Sequence, residues 1–230
     1  DATDFGNLTV ARQWVFGAVS SRVRGVWAGG SSPLTDTIDF VTISSTGDAT
    51  DFGNLSGSKL AHAGCGNETR GLFGGGNPSN STTKTDGIEF ITIASTGNAL
   101  DFGNLNAATA SLCGTASPTR GLFMGGYTPT ALDTIQFVTI ASTGNTQDFG
   151  NLTQARQEAA GCANATRAIC FGGGPAYSAQ GSIDFFTIAT LGNASDFGDL
   201  ITTMQSATGA TSSPTRGVVT TGTGQSNTIE

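Results

Sequence analysis

Asp51-Phe52-Gly53-Asn54-Leu55 is a pentad that the chain repeats: it starts again at Asp4, Asp101 and Asp148, and returns as Asp-Phe-Gly-Asp-Leu at Asp196. The intervals between successive copies are 47, 50, 47 and 48 residues. Three further markers keep constant order around it. Arg24, Arg70, Arg120, Arg167 and Arg216 each precede Gly or Ala and a hydrophobic pair. Glycine pairs follow at Gly29-Gly30, Gly75-Gly76, Gly125-Gly126 and Gly173-Gly174, loosening to Gly222-Thr223-Gly224. Ile38, Ile88, Ile135, Ile183 and Ile229 come next, and the first four open an Ile-x-Phe-x-Thr-Ile run. Self-similarity at a fixed period marks a repeat architecture, in which each unit buries its apolar faces against its neighbours.

Each unit reads as four strands. The first is a small-residue stretch, represented by Ala155 to Cys162, and the second is the Arg-Gly-Leu-Phe-x-Gly-Gly run. The third is the alternating stretch Ile135 to Ile140. A Ser-Thr-Gly-Asn turn then leads into a fourth strand carrying the pentad. A four-stranded unit of this length fits the propeller-blade period of about 40–50 residues. The expected fold is therefore all-β: a single five-bladed β-propeller domain over residues 1–230, with four antiparallel strands per blade. The blades are expected at 9–55, 56–105, 106–152, 153–200, and 201–230 plus 1–8.

The last of these rests on the chain ends. Each strand-opening Ile stands 13 residues before the next pentad Asp, as in 38 to 51 and 88 to 101. Glu230 is one step past Ile229, whereas Asp1 to Leu8 repeats Asp48 to Leu55 letter for letter. Eight residues of the pattern, reading like Phe-x-Thr-Ile-x-Ser-Thr-Gly, stand between those two positions. The expectation is a shared fifth blade whose outer strand is the N-terminal pentad, which closes the ring and removes an aggregation-prone edge. Asp1 in place of Met suggests a fragment or a processed product.

Composition agrees. The chain has 34 Gly, only 12% charged residues, and aromatics that are mainly its 14 Phe, as short strands joined by tight turns require. A net charge of −7 with ten Lys and Arg in all argues against a nucleic-acid partner, which needs clustered basic residues. No apolar run is long enough to insert in a membrane.

The order of markers resembles the kelch repeat: a hydrophobic run ending in Gly-Gly, a variable loop, an alternating strand and a late aromatic. The double glycines after Leu72-Phe73 and Leu122-Phe123-Met124 carry the resemblance best. Phe in the pentad stands where kelch repeats carry Tyr and Trp. The sequence is most similar to the kelch-like repeat structural or tail-fibre proteins of bacteriophage particles. That resemblance implies a non-enzymatic module at a virion surface or in an extracellular setting, with a host-surface glycan or a neighbouring virion protein as partner. A cellular kelch-type adaptor that binds a protein partner is the alternative.

Candidate chemistry has to be separated from repeat determinants. Asp4, Asp51, Asp101, Asp148 and Asp196 recur once per unit, as do the five arginines. Calcium loops need several oxygen ligands close together, which Phe-Gly-Asn-Leu does not offer. The expected role is structural, as Asp–Arg ion pairs or Asp-to-backbone caps. Cys65, Cys113 and Cys162 fall in first strands, where small side chains suit crowding at an axis, and Cys170 falls in a second strand. They lack Cys-x-x-Cys spacing, so neither a metal nor a disulfide framework is expected. His62 is the only histidine and sits between Ala61 and Ala63, which fits a structural or solvent-facing role better than a catalytic triad. Asp39, Glu89 and Asp184 match one another and so single out no catalytic pair. No catalytic residue, cofactor or enzyme activity is expected.

What differs between units is the connection from the double glycine to the third strand. It reads Ser31 to Thr37, Asn77 to Gly87, Tyr127 to Thr134, Pro175 to Ser182 and Gln225 to Thr228. Both tyrosines, Tyr127 and Tyr177, lie there with Lys84 and Asn80. Alternation of strand direction puts these loops on one face with the blade-to-blade connections, so these four residues are the candidate ligand-binding set.

Overall fold

The computed structural model describes residues 2–79, 82–175, 178–221 and 229–230. The first three full repeats fold as consecutive antiparallel sheets. Blade 1 comprises β1 (Gly17–Ser20), β2 (Arg24–Ala28), β3 (Thr37–Thr42) and β4 (Thr50–Asn54). Blade 2 comprises β5 (Ala63–Gly66), β6 (Arg70–Gly74), β7 (Gly87–Thr92) and β8 (Leu100–Asn104). Blade 3 comprises β9 (Cys113–Ala116), β10 (Arg120–Met124), β11 (Leu132–Thr139) and β12 (Gln147–Arg156). Blade 4 repeats the order with β13 (Ala160–Ala163), β14 (Arg167–Phe171), β15 (Gln180–Thr187) and β16 (Ser195–Met204). The innermost strands pack in sequence, β1 on β5, β5 on β9 and β9 on β13. Four-stranded antiparallel blades stacked through their inner strands make this an all-β propeller.

The fifth unit departs from the expectation. It is a two-stranded sheet of β17 (Ala207–Ser212) and β18 (Gly217–Thr221), with β17 packed on β13. Among the described residues, Ile229 and Glu230 pair with β18 as the start of a third strand, through Thr220 opposite Ile229 and reciprocal bonds between Val219 and Glu230. The N-terminal pentad is not a strand of that sheet. It lies instead against blade 1, where the carbonyls of Phe5 and Asn7 accept from Gly47 N–H and Ala49 N–H. Among the described residues no packing of comparable extent joins β17 to β1. The structure therefore has four complete blades and a small sheet where five complete blades were expected.

The cores lie between blades. Val26, Ile38, Phe52 and Leu55 of blade 1 meet Phe73, Ile91 and Ile93 of blade 2. Leu72, Ile88, Phe102 and Leu105 then meet Phe123, Val138 and Ile140. Leu122, Ile135, Phe149 and Leu152 meet Phe186 and Ile188. The pentad Phe and Leu are thus one wall of each core, and alternate residues of the next third strand are the other. Two glycine markers follow from close approach. A Cβ on Gly103 would lie 2.3 Å from the Gly144 carbonyl oxygen of the next blade, and one on Gly75 would lie 2.4 Å from that of Thr109. Both have positive φ, of 146° and 69°.

The first strand is shorter than expected. Arg156 is drawn into the β11–β12 pairing opposite Leu132, so β13 starts only at Ala160. The Asp and Arg markers also do not pair. The five Asp side chains are exposed, and Asp4 and Asp196 cap the backbone N–H groups of Gly6 and Gly198, each at 3.1 Å. Each arginine of the first four units stacks on the third-strand Phe of its own blade: Arg24 on Phe40 at 4.4 Å, Arg70 on Phe90, Arg120 on Phe137 and Arg167 on Phe185. From there the first three reach the next blade, donating to the carbonyls of Ile93, Ile140 and Ile188. A planar guanidinium can lie over a ring face and still donate from its edge to a carbonyl of the next blade, which suits Arg better than Lys at these positions. Arg216 is exposed.

Candidate functional site

Buried polar chemistry is concentrated where third strands meet the segment after each pentad. Asp39 accepts from Thr9 N–H and Oγ1, Glu89 from Ser56 N–H and Oγ, and Asp184 from Thr153 N–H and Oγ1. Gln136 accepts from Asn106 N–H, and Glu230 from the N–H groups of Ile201 and Thr202. Each acid in the first, second and fourth copies has a buried cation: Arg12 to Asp39 at 2.9 Å, Lys59 to Glu89 at 3.4 Å and Arg156 to Asp184 at 3.0 Å. In blade 3 the two positions carry neutral residues that do not pair with each other: Gln136 accepts from Thr146 Oγ1 at 2.8 Å, and Thr109 donates to the Ala107 carbonyl at 2.9 Å. Repetition with this compensation identifies a clamp between blades rather than a catalytic group.

His62 is fully buried, and neither ring nitrogen has a hydrogen-bond partner in the protein. Burial, and then the charges of Lys59 and Arg12, hold its pKa well below the ordinary value, so the imidazole is neutral. The solvent-facing alternative is thereby set aside. All four cysteines are buried free thiols, and burial pushes Cys65 up to about 12. Among the described residues no three His, Cys, Asp or Glu side chains gather closely enough to hold a metal ion. Among the described residues no helix is long and apolar enough to cross a membrane.

The propeller axis opens at two mouths. One is formed by the turns between first and second strands, with a cavity of about 390 Å³ lined by Asn67, Ser117, Pro118 and Asn164 among others. Two of its side chains are committed to the fold: Asn67 Nδ2 donates to the Pro118 carbonyl at 2.9 Å and Asn164 Nδ2 to the Pro214 carbonyl at 2.8 Å. The other is the loop face. Its cavity, about 410 Å³, is lined by residues of four blades, including Trp14, Asn77, Lys84, Tyr127, Gln157 and Glu158.

The loop-face mouth is built by one repeated backbone feature. Ten positions after each of the first four pentad Asp residues, the chain turns through a left-handed conformation: Trp14 at φ 60°, Ala61 at 54°, Ser111 at 55° and Glu158 at 56°. Side chains other than Gly, Asn and Asp rarely take this conformation, which costs such a residue of order 1–3 kcal/mol. The turns are linked around the axis, Ser111 N–H to the Ala61 carbonyl at 2.8 Å and Glu158 N–H to the Ser111 carbonyl at 3.0 Å. Ser206, ten positions after the fifth Asp, donates its hydroxyl to Glu158 Oε2.

Of the candidate binding residues, Lys84 and Tyr127 are brought together here. The Lys84 ammonium lies 4.9 Å from the Tyr127 ring centroid and donates to the Thr82 carbonyl at 3.2 Å. Asn80 and Tyr177 lie outside the described residues. Trp14 and Glu158 were not among the candidates, because they fall in the stretch read as the first strand itself, represented by Ala155 to Cys162. Variation alone did not single them out: at that offset the copies read Trp, Ala, Ser, Glu and Ser, no more varied than Val10, Gly57, Ala107, Gln154 and Thr202 four positions earlier. Trp14 is 47% exposed and Tyr127 36%. No protein-family model matches the chain, and no curated protein is significantly similar to it.

Proposed function

We propose that this chain is a non-enzymatic binding module of a virion surface or tail fibre, and that its loop face contacts host-cell glycans. The observation that carries this reading is the contrast between the two mouths. One is lined by repeated turn residues already engaged in structure, and the other by side chains that differ from blade to blade and include two exposed aromatic rings. Uniform positions serve the fold; varied positions on the same scaffold are where recognition is placed. The kelch-like order of repeats and the resemblance to bacteriophage structural proteins support the virion setting. Screening the 230-residue chain on an array of cell-surface glycans tests the reading. Reproducible binding is expected. An array without hits, together with recovery of a stable complex with a protein partner, would replace it by the adaptor reading.

We also infer a five-bladed ring in which the N-terminal pentad serves as the outer strand of the fifth blade. Phe5 and Asn7 bond blade 1 as Phe52 and Asn54 bond blade 2 through Gly97 and Ala99. Thr9 reaches Asp39 as Ser56 reaches Glu89. The N-terminal pentad thus makes with blade 1 the contacts that the pentad of blade 1 makes with blade 2, which supports this reading.

A further inference from the structure

Four positions around the loop-face mouth share one left-handed backbone conformation and carry Trp14, Ala61, Ser111 and Glu158. Glycine meets that conformation without steric cost and is plentiful elsewhere in this chain. An indole is the bulkiest side chain to hold there, and it remains 47% exposed, so burial in the core does not explain it. Strain retained at an exposed aromatic points to a surface that something else covers.

We propose that this mouth is a subsite for a single neutral hexose unit at the end of a glycan, with Trp14 and Tyr127 as its two stacking walls. The inference rests on the loop-face glycan reading and gives it a location and a ligand class. Trp14 comes from blade 1 and Tyr127 from blade 3, on either side of blade 2, and both line one cavity. The faces of aromatic rings are electron-rich, and the axial C–H bonds of a pyranose carry the complementary partial positive charge. The cavity, about 410 Å³, is at the small end of ligand sites, which run from roughly 300 to 1,000 Å³. That suits an end unit rather than a chain bound along its length. Polar side chains line the same mouth: Gln157 and Glu158 from blade 4, and Asn77. Those of their groups that reach the cavity can pair with sugar hydroxyls.

Charge selects against acidic sugars. The Lys84 ammonium is already held over the Tyr127 ring and on the Thr82 carbonyl. Glu158 adds a carboxylate at the mouth, on a chain of net charge −7. A sialic acid or uronic acid would bring a second negative charge to that carboxylate, and Lys84 would have to leave the Tyr127 ring to receive it.

Titration of the 230-residue chain with methyl glycosides of galactose, glucose and mannose, and with N-acetylneuraminic and glucuronic acids, tests the proposal. Binding is read by calorimetry and by tryptophan emission. At least one neutral glycoside is expected to bind and to shift the emission, and the two acids to bind at least tenfold more weakly. Trp14→Gly removes the ring and relieves the backbone, so it is expected to lose binding at least tenfold while melting no lower than the parent. Tyr127→Ala is expected to lose binding similarly, and Glu68→Ala at the opposite mouth to leave it unchanged. A neutral glycoside that binds both aromatic variants as well as the parent would overturn this location and leave the glycan reading standing. Preference for an acid would overturn the ligand class, and a chain that binds no saccharide in solution or on the array would overturn both.

Discussion

At the scale of single residues, His62 carries the sharpest expectation, because it combines burial with two unpaired ring nitrogens. Its equivalent eleven positions after the next pentad Asp is Leu112, an apolar residue in the blade 2–3 core. In the folded protein burial, reinforced by Lys59 and Arg12, depresses the His62 pKa far below 6.5. The unfolded chain therefore takes up a proton as pH falls through about 6.5, while the folded chain does not. Stability is undiminished above that value and declines below it, by about 1.4 kcal/mol between pH 7.5 and pH 5.5. His62→Leu removes the titration and the unpaired nitrogens. Urea unfolding at both pH values is expected to show a difference smaller by that amount in the variant, with stability at pH 7.5 equal or higher. Equal acid sensitivity in the two proteins would show that His62 is not the group responsible.

At the scale of elements, the clamp between a third strand and the preceding pentad explains what the alternating runs left ambiguous. Ile-x-Phe-x-Thr-Ile announces a strand, but its second residue lies on the buried side of the blade and is polar in every copy. Asp39 and Asp184 are fully buried there, and Arg156 is 1% exposed. The repeats showed the acids as a series and the arginines as another. They did not show that Arg12, Lys59 and Arg156, eight positions after a pentad Asp, are the partners. A linear pattern records position along a strand and not which strand faces it. Blade 3 does without the ion pair: Gln136 and Thr109 stand at its two positions, and Thr146 Oγ1 donates to Gln136 Oε1. Asp184→Gln alone strands the Arg156 charge and is expected to destabilise by about 3–5 kcal/mol. Adding Arg156→Thr removes the stranded charge and is expected to recover at least about 1–2 kcal/mol of that loss. A double-mutant cycle by denaturant unfolding measures the coupling, and strict additivity would mean the two groups do not compensate each other.

For the molecule as a whole, the blades were legible because their determinants are local: glycines at close approaches, an arginine under each stacking Phe, apolar alternation. The closure of the ring was not, because it depends on contacts between distant parts of the chain. The difference is visible in one residue type. Phe52, Phe102 and Phe149 are each 2% exposed beneath the third strand of the following blade, whereas Phe197 is 55% exposed and Ile201 93%. Phe197 and Leu200 line a groove of about 680 Å³ beside β18, on the side where Arg216 and Gly217 lie. In blade 4 the residues equivalent to these two, Arg167 and Ala168, pair with Thr187 and Phe186 of the third strand. If the fifth blade shares the design of the others, a strand reading Phe-Val-Thr-Ile should fit the groove with its Val over Phe197 and Leu200. A circularly permuted chain tests this, with Phe-Val-Thr-Ile-Ser-Ser-Thr-Gly joining Glu230 to Asp1 and new ends in the exposed turn between Ser142 and Thr143. Burying Phe197 and the inserted apolar residues contributes about 1.5–3 kcal/mol for each large side chain, before the entropy of ordering the insert is subtracted. The permutant is expected to melt several degrees higher in a single transition, with new amide-exchange protection at Gly217 and Val218. An unchanged melting temperature with those amides still open would mean that the pentad at the N-terminus belongs to blade 1 alone and that the ring does not close through it.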